Sequence, residues 1–182
     1  ILIQETKETI SYLETVETAL SQASLAEVAE IREELIQTGF IKRRNREKIH
    51  KRKKPKKYLA SDGKTIILVG RNNLQNDELT FKIAKKDELW FHAKDIPGSH
   101  VVITGNLNPS DEVKTDAAEL AAYYSKARFS NLVQVDMIEA KKLNKPTGGK
   151  PGFVTYTGQK TLRVTPEEEK IKAMKLEDWF QK

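Results

Sequence analysis

Cysteine is absent from this chain of 182 residues, and only three histidines are present. The missing thiols exclude disulfide bonds, thiolate nucleophiles and zinc sites that depend on thiolates, and they fit a reducing cytosol. Long apolar runs are also absent: no stretch of about 18 apolar residues occurs, so no membrane insertion is predicted. The few histidines leave little material for metal binding or acid–base catalysis.

A cleavable leader is also missing, and the first residue is Ile1 rather than Met. We therefore expect a piece of a longer protein that carries no secretory signal of its own. The length suffices for one hydrophobic core and an added helical arm. The composition does not specify an oligomeric state.

Positive charge is concentrated in one segment. The net charge of the chain is +6, yet residues 1–38 carry eight Glu against Lys7 and Arg32. Residues 39–57 carry eleven Lys or Arg against Glu47 alone. Such a segment is too cationic to bury, so residues 41–57 are predicted to form a linker or basic arm.

This basic segment indicates a polyanionic partner, because eleven cations exceed what solubility requires. We favour contact with RNA phosphates, which releases counterions and makes binding strongly dependent on salt. A heparin-like ligand would use the same charge, and a solvated spacer is the remaining alternative. The candidate RNA-binding residues here are Lys42, Arg43, Arg44, Arg46, Lys51, Arg52, Lys53 and Lys54.

Residues 1–40 are predicted to form a helical arm. Ser24 followed by Glu27 is a capping box that opens a second helix, and Gly39 ends it. The first helix carries a loose apolar stripe, which predicts a helix that needs a packing partner. The stripe consists of Ile3, Ile10, Leu13, Val16 and Leu20.

The character of the chain changes at Tyr58. Residues 58–60 and 65–69 read as two strands around an Asp-Gly turn. A polar turn then leads into a helix that extends to Ala84. Its polar side chains serve either turn and capping chemistry or the recognition of phosphate, sugar and base edges. The candidates for that recognition are Arg71, Asn72 and Asn73.

A central hairpin is predicted from residues 89–93 and 100–103, which flank a turn. Pro97 presets the φ of a tight turn, and Gly98 tolerates the positive φ that a type II turn requires. Pairing Ala93 opposite His100 would place the two hairpin imidazoles on different faces, whereas a slip of one residue would bring them together. The sequence leaves this register open.

The favoured interpretation of the hairpin is structural: Trp90 packs in the core while one histidine bonds to loop backbone. A metal site would need a third ligand, and a hydrolytic site would need an activated nucleophile. Since neither is visible, no catalytic residue, metal or cofactor is predicted. The alternative is a ligand-facing rim of exposed histidine with Ser99 and Lys94, and a closed acidic pocket joining His92 and His100 would count against RNA binding.

A helix capped near Ser110 is predicted next, with an Ala-rich buried face. At its end, Tyr123, Lys126 and Arg128 either stack an RNA base or complement the helix dipole. Residues 132–140 form a strand, and the basic loop 141–152 either contacts phosphates through Lys150 or simply connects strands. Residues 153–157 and 160–164 are predicted as a last hairpin. A terminal helix should then dock through Ile171, Met174, Trp179 and Phe180.

These elements predict an α+β fold with a mixed or mostly antiparallel sheet of six or seven strands. Helices pack on this sheet and a helical arm precedes it. Hairpin connections argue against a doubly wound parallel sheet. The predicted units are an arm over 1–40, a basic linker over 41–57 and a folded domain over 58–182.

The central hairpin also carries a family signature. Its Trp-Phe-His-x4-Pro-Gly-Ser-His-Val pattern resembles that of the NFACT-R domain in the RqcH/NEMF family of ribosome-associated quality-control proteins. The resemblance runs from about Tyr58 to about Pro166 and includes Arg71-Asn-Asn and Tyr124-Ser-Lys-Ala-Arg. The signature residues are Trp90, His92, Pro97, Gly98, Ser99 and His100.

The resemblance implies that the arm over residues 1–40 is the end of a truncated coiled coil. It also implies a module that binds tRNA or rRNA and acts in the cytoplasm. Full-length relatives bind the large ribosomal subunit and recruit tRNA for untemplated C-terminal alanine tailing of stalled chains. Similar streptococcal proteins are called fibronectin-binding proteins, so the alternative is a surface adhesin domain that binds fibronectin or another host matrix protein. Both readings describe a binding module rather than an enzyme.

Overall fold

The computed structural model describes residues 1–45, 48–49, 51 and 53–176. Four side chains with predicted roles lie outside the described residues: Arg46, Arg52, Trp179 and Phe180. No helix in the described part of the chain is both long enough and apolar enough to cross a bilayer.

Two helices form the N-terminal arm, α1 (Leu2–Ser21) and α2 (Leu25–Gln37). The predicted capping box opens α2: the backbone N of Ser24 donates to Oε2 of Glu27 at 2.8 Å, and the backbone N of Glu27 donates to Ser24 Oγ at 3.4 Å. These bonds satisfy backbone donors that the helix itself cannot pair. A two-helix arm therefore precedes the sheet, as predicted.

The buried face of α1 differs from the predicted stripe. Tyr12 anchors the face, because its hydroxyl donates to Glu34 Oε1 at 2.6 Å and its ring stacks on Phe40 with centroids 5.5 Å apart. Val16 packs beside it against Ile31. Because α1 is oriented with Tyr12 inward, the other four residues of the predicted stripe face solvent: Ile3, Ile10, Leu13 and Leu20.

Six strands form a single antiparallel sheet in the order β1-β2-β4-β3-β5-β6. The central pair, β4 and β3, is the hairpin that carries the family signature. The α+β class and the antiparallel sheet are confirmed. The strands are β1 (Lys56–Leu59), β2 (Ile66–Val69), β3 (Leu89–Ala93), β4 (Val101–Thr104), β5 (Val133–Glu139) and β6 (Lys160–Val164).

Three further helices cover the sheet. They are α3 (Asn73–Glu78), α4 (Asp111–Tyr123) and α5 (Glu168–Met174), and a π-helical turn at Leu79–Ile83 extends α3. Asn72 and Ser110 cap α3 and α4 through their side chains, which agrees with the sequence. The alanines of α4 pack on one sheet face, where small side chains permit close approach. The predicted docking residues of α5, Ile171 and Met174, are buried in the same core.

Alternate residues of the central strands fill the opposite face. Trp90 lies there with no solvent exposure, packed with Leu68 and Val102. The π-helical turn contributes Leu79, and the loop after β5 contributes Leu143. Since both faces are covered, Trp90 packs in the core as the sequence indicated.

The predicted last hairpin is wrong. Strand β6 pairs with β5 rather than with residues 153–157, and the pairing found for that segment is a single bridge between Asn144 and Thr155. The cause is packing across the sheet face: Tyr156 meets the Trp90 ring edge-on with centroids 5.3 Å apart and donates to Asp136 Oδ2 at 3.1 Å. The segment therefore serves as a cover for Trp90.

Candidate nucleic-acid interface

The register of the central hairpin places its two histidines together. Trp90 pairs with Val102 and Phe91 with Val101, and the same register sets His92 opposite His100. Their ring centroids lie 5.4 Å apart. This is the one-residue slip that the sequence left open.

Hydrogen bonds hold the imidazole of His100 in place. Trp90 Nε1 donates to Thr80 Oγ1 at 3.1 Å, and the same Thr80 oxygen lies 2.7 Å from His100 Nδ1. The ring also bonds to the backbones of Asn76 and Gly152. The histidine thus ties β4 to the π-helical turn and to the loop before Phe153. The predicted structural role is what the contacts show.

Both imidazoles are neutral at physiological pH. Burial lowers the pKa of His92 to about 4, although a bond to the Gly98 backbone and the charges of Asp136 and Asp95 act in the opposite direction. Burial also holds the pKa of His100 well below its usual value. The predicted exposed rim is wrong, because Ser99 and His100 are both buried.

Gly98 is required for a different reason than the sequence indicated. Its φ is not positive; Asp95 takes the left-handed conformation in this turn, with φ 55°. The backbone of Gly98 instead bridges to Ser125, and the neighbouring Ser99 N donates to Tyr124 O at 3.0 Å. A Cβ added at Gly98 would lie 3.0 Å from Ser125 Cβ. Close approach of two loops therefore explains the glycine.

We expect Gly98→Ala to lower the free energy of unfolding by about 1 to 2 kcal/mol, the usual cost of overpacking a tight contact. Urea unfolding followed by tryptophan fluorescence measures it. Combining Gly98→Ala with Ser125→Gly removes the Cβ contact, so the pair should cost less than the sum of the two single changes. Simple additivity would contradict this explanation.

An open cleft of about 600 Å³ joins the paired imidazoles to helix α1 and the Gly-rich loop. Its rim carries the carboxylates of Glu8, Glu14 and Asp95, and no Lys or Arg of the described residues lines it. The cleft is not closed, but its acidic rim opposes phosphate binding. Within the described part of the chain, no group of three His, Cys, Asp or Glu residues is arranged to hold a metal ion. Cationic contacts to RNA must therefore lie elsewhere.

The polar turn before α3 faces the arm. Arg71, Asn72 and Asn73 are each about 5% exposed or less. Arg71 Nε donates to Glu27 Oε1 at 3.2 Å, and Asn73 Nδ2 donates to Glu34 Oε1 at 2.9 Å. Asn72 and Gln75 donate further bonds to Glu30. We call this interface between the polar turn and the glutamates of α2 the clasp.

The clasp gives a structural role to the three residues that were predicted to contact RNA. Asn72 performs the capping role, since its Oδ1 accepts from Gln75 N at 2.8 Å. With the arm docked, the side chains of Arg71, Asn72 and Asn73 meet glutamates rather than solvent. Their contact with RNA stays a prediction that requires the arm to move away.

A groove between the arm and the sheet domain combines cations with tyrosines, and we call it the tyrosine groove. It encloses about 260 Å³. The Arg71 guanidinium lies 3.9 Å from the centroid of Tyr124, and that of Arg128 lies 4.0 Å from Tyr123. Four cations and three tyrosines line it, against a single carboxylate, that of Glu27: Lys56, Arg71, Arg128, Lys175, Tyr58, Tyr123 and Tyr124. The structure thus places Arg71 and Arg128 in one groove, in which Arg71 is 5% exposed and paired with Glu27.

The other cations predicted to bind RNA differ in the exposure and the contacts of their side chains. Lys126 has 57% of its side chain exposed, 4.0 Å from Glu14. Lys150 lies over the rings of Tyr12 and Phe40, at 5.7 and 5.5 Å. The loop containing Lys150 therefore packs on the arm instead of forming a free phosphate-binding loop.

The described residues of the basic segment before Lys56 form no helix or strand, whereas Lys56 and Lys57, predicted as linker, open β1. Arg43 pairs with Glu33 at 2.5 Å, and the backbone N of Lys53 donates to Glu30 Oε2 at 3.4 Å. The segment thus crosses the acidic face of α2. Five of its RNA-binding candidates have exposed side chains: Lys42, Arg44, Lys51, Lys53 and Lys54.

Two protein-family models match this chain. Residues 54–158 match the model of the NFACT protein RNA binding domain, and residues 1–54 match that of the NFACT N-terminal and middle domains. The chain belongs to the NFACT family. The two models meet at residue 54, inside the basic segment, so the clasp and the tyrosine groove both join the NFACT middle region to the RNA-binding domain.

Curated relatives named Rqc2 homolog RqcH are similar along nearly the whole chain. That of Streptococcus suis (strain 05ZYH33) is 83% identical over 96% of this chain, and that of Bacillus subtilis (strain 168) is 42% identical over 95%. The chain spans 32% and 31% of these proteins, about a third of their length. The solved C-terminal structure of the fibronectin/fibrinogen-binding protein from Streptococcus suis (FBPS) has a TM-score of 0.95 at 83% identity, covering 96% of this chain and 70% of that one.

Three residues of this NFACT surface escaped the sequence reasoning. Lys56 lines the tyrosine groove from the first position of β1, and Lys175 reaches it because it forms a bridge with Tyr58 in the folded chain. Phe129 is 90% exposed in the turn after α4. Its signal in the sequence was an aromatic placed between Arg128 and two polar residues.

Proposed function

We propose that this NFACT chain binds tRNA or ribosomal RNA as part of a ribosome-associated quality-control factor. In this role it contacts the large ribosomal subunit in the cytoplasm and aids C-terminal alanine tailing of stalled nascent chains. It acts as a binding module, without a catalytic step or a cofactor of its own. The tyrosine groove carries the proposal, because four cations line it beside three tyrosines on a domain of an RNA-binding family.

The basic segment extends this surface. Lys53 and Lys54 are exposed and lead directly into β1, whose first residue, Lys56, lines the groove. The exposed lysines of the segment thus connect along the chain to the groove, although Glu30, Glu33 and Glu78 lie beside Lys53 and Lys54. A phosphate backbone that follows this path would be neutralised by several cations, which predicts affinity that falls steeply with salt.

We expect Lys51, Lys53 and Lys54→Glu to weaken tRNA binding about tenfold or more at low salt, with a shallower salt dependence, because each lost phosphate contact lowers the slope by about 0.7 to 0.9. Fluorescence anisotropy with labelled tRNA over a salt series measures both quantities. The matched control reverses three exposed lysines outside this surface, Lys82, Lys85 and Lys86. Equal losses in the two triple variants would place the site elsewhere, and absent affinity at low salt would refute RNA binding.

Fibronectin binding is the second candidate, since the similar streptococcal structure belongs to a protein named for fibronectin and fibrinogen binding. It would require display at the cell surface. The same chain titrated with fibronectin distinguishes the two functions. Tight fibronectin binding without tRNA affinity would favour the adhesin, whereas the reverse result would favour the ribosomal role.

A further inference from the structure

The turn after α4 exposes an aromatic ring that nothing in the fold explains. Phe129 is 90% exposed, and it is the most exposed aromatic side chain in the described part of the chain. The Arg128 guanidinium carbon lies 5.4 Å from its ring centroid. A phenylalanine in this position gains almost none of the free energy that burial of its ring would supply.

Arg128 connects this ring to the tyrosine groove. Its guanidinium lies 4.0 Å from the Tyr123 centroid, donates to the Tyr123 hydroxyl and approaches Glu168 at 3.6 Å. One face of the turn is thus held by Arg128, which lines the groove and precedes Phe129 in the chain. Residues 125–132 contain two cations and no acidic side chain.

Unpaired RNA bases stack on exposed aromatic rings, and neighbouring cations hold the adjacent phosphates. Phe129 supplies the ring, and Lys126, with 57% of its side chain exposed, supplies a nearby charge. A protein pocket would accept the ring as well, but the flanking cations and the adjoining groove favour a polyanion.

We propose that Phe129 is a stacking platform for an unpaired RNA base, with Lys126 contacting a phosphate beside it. This inference rests on the proposed RNA-binding function and assigns a single-stranded segment to this part of the surface. Duplex RNA, whose bases are stacked internally, does not engage the platform. Tyr123, the aromatic that the sequence indicated for stacking, is 6% exposed and serves as the support for Arg128.

The test is anisotropy of the 182-residue chain with a short labelled oligoadenylate and with a duplex of equal length. Phe129→Ala should weaken oligoadenylate binding by roughly 5-fold to 100-fold, the range found when a stacking aromatic is removed. Phe129→Tyr should restore binding, and Phe129→Leu, which keeps apolar bulk without a π-face, should not. The salt slope should stay unchanged, because no phosphate contact is lost.

Leu132→Ala is the matched control, since Leu132 is 65% exposed in the same turn and has no ring; it should bind as the parent does. Unchanged oligoadenylate affinity in Phe129→Ala, while the basic-segment variant still loses tRNA affinity, would overturn the platform and leave the proposed function standing. Full rescue by Phe129→Leu would also overturn it, because apolar bulk rather than a π-face would then carry the contact. If the parent chain bound no RNA at all, the proposed function itself would be refuted.

Discussion

Replacing Arg71 by methionine is expected to lower the free energy of unfolding by about 3 kcal/mol, the low end of the cost of breaking a buried ion pair. Arg71 is 5% exposed and bonds both to Glu27 Oε1 and, at 3.1 Å, to Gln22 O. The substitution leaves the Glu27 carboxylate buried beside an apolar side chain. The low end applies because Glu27 keeps its bond from the Ser24 backbone.

Urea unfolding at neutral pH gives this free energy, and amide hydrogen exchange in α2 shows whether the arm is released first. The double variant Glu27→Gln with Arg71→Met should recover part of the loss, because no buried charge is then left unpaired. A loss below about 1 kcal/mol, the typical value for a surface ion pair, would show that the clasp is not a buried interface in solution.

The sequence predicted the local elements of this fold well, because their determinants lie within a few residues of each other. The capping box at Ser24, the turn at Asp62-Gly63 and the cap at Ser110 each act over one turn of chain. The antiparallel order followed from short connections. The hairpin prediction failed for the segment around Tyr156. Tyr156 packs against Trp90 on the sheet face, and β6 pairs with β5 instead.

The candidate site was harder to predict, because it depends on contacts between distant residues. Arg71 meets Glu27 from 44 positions away, and no local pattern distinguishes that pairing from contact with RNA. The acidic cleft and the basic groove likewise arise from the way α1 docks. Composition revealed that cations were available, whereas only the fold showed that Arg71 and Arg128 share a groove and that Lys150 lies over the rings of Tyr12 and Phe40.

The paired histidines are expected to make the protein labile to acid. An unfolded histidine binds a proton near pH 6.5, whereas burial lowers the pKa of His92 to about 4. Between these values the unfolded state binds more protons, so stability is complete above about pH 6.5 and falls as the pH drops toward 4. For His92 alone the loss amounts to about 3 kcal/mol, and His100, with its pKa lowered in the same direction, adds to it.

Urea midpoints measured from about pH 7 to about pH 5 isolate this effect, because most carboxylates titrate below that window. His92→Gln removes a proton acceptor while keeping a side chain that donates to the Gly98 backbone, so its stability should depend less on pH than that of the parent chain. Asp136 and Asp95 favour the protonated form of His92, and Asp136→Asn should therefore lower the pH at which folded His92 gains its proton. An imidazole resonance of His92 or His100 that titrates near pH 6.5 in the folded protein would contradict the assignment, since neutral imidazoles explain the packing of both rings against Trp90.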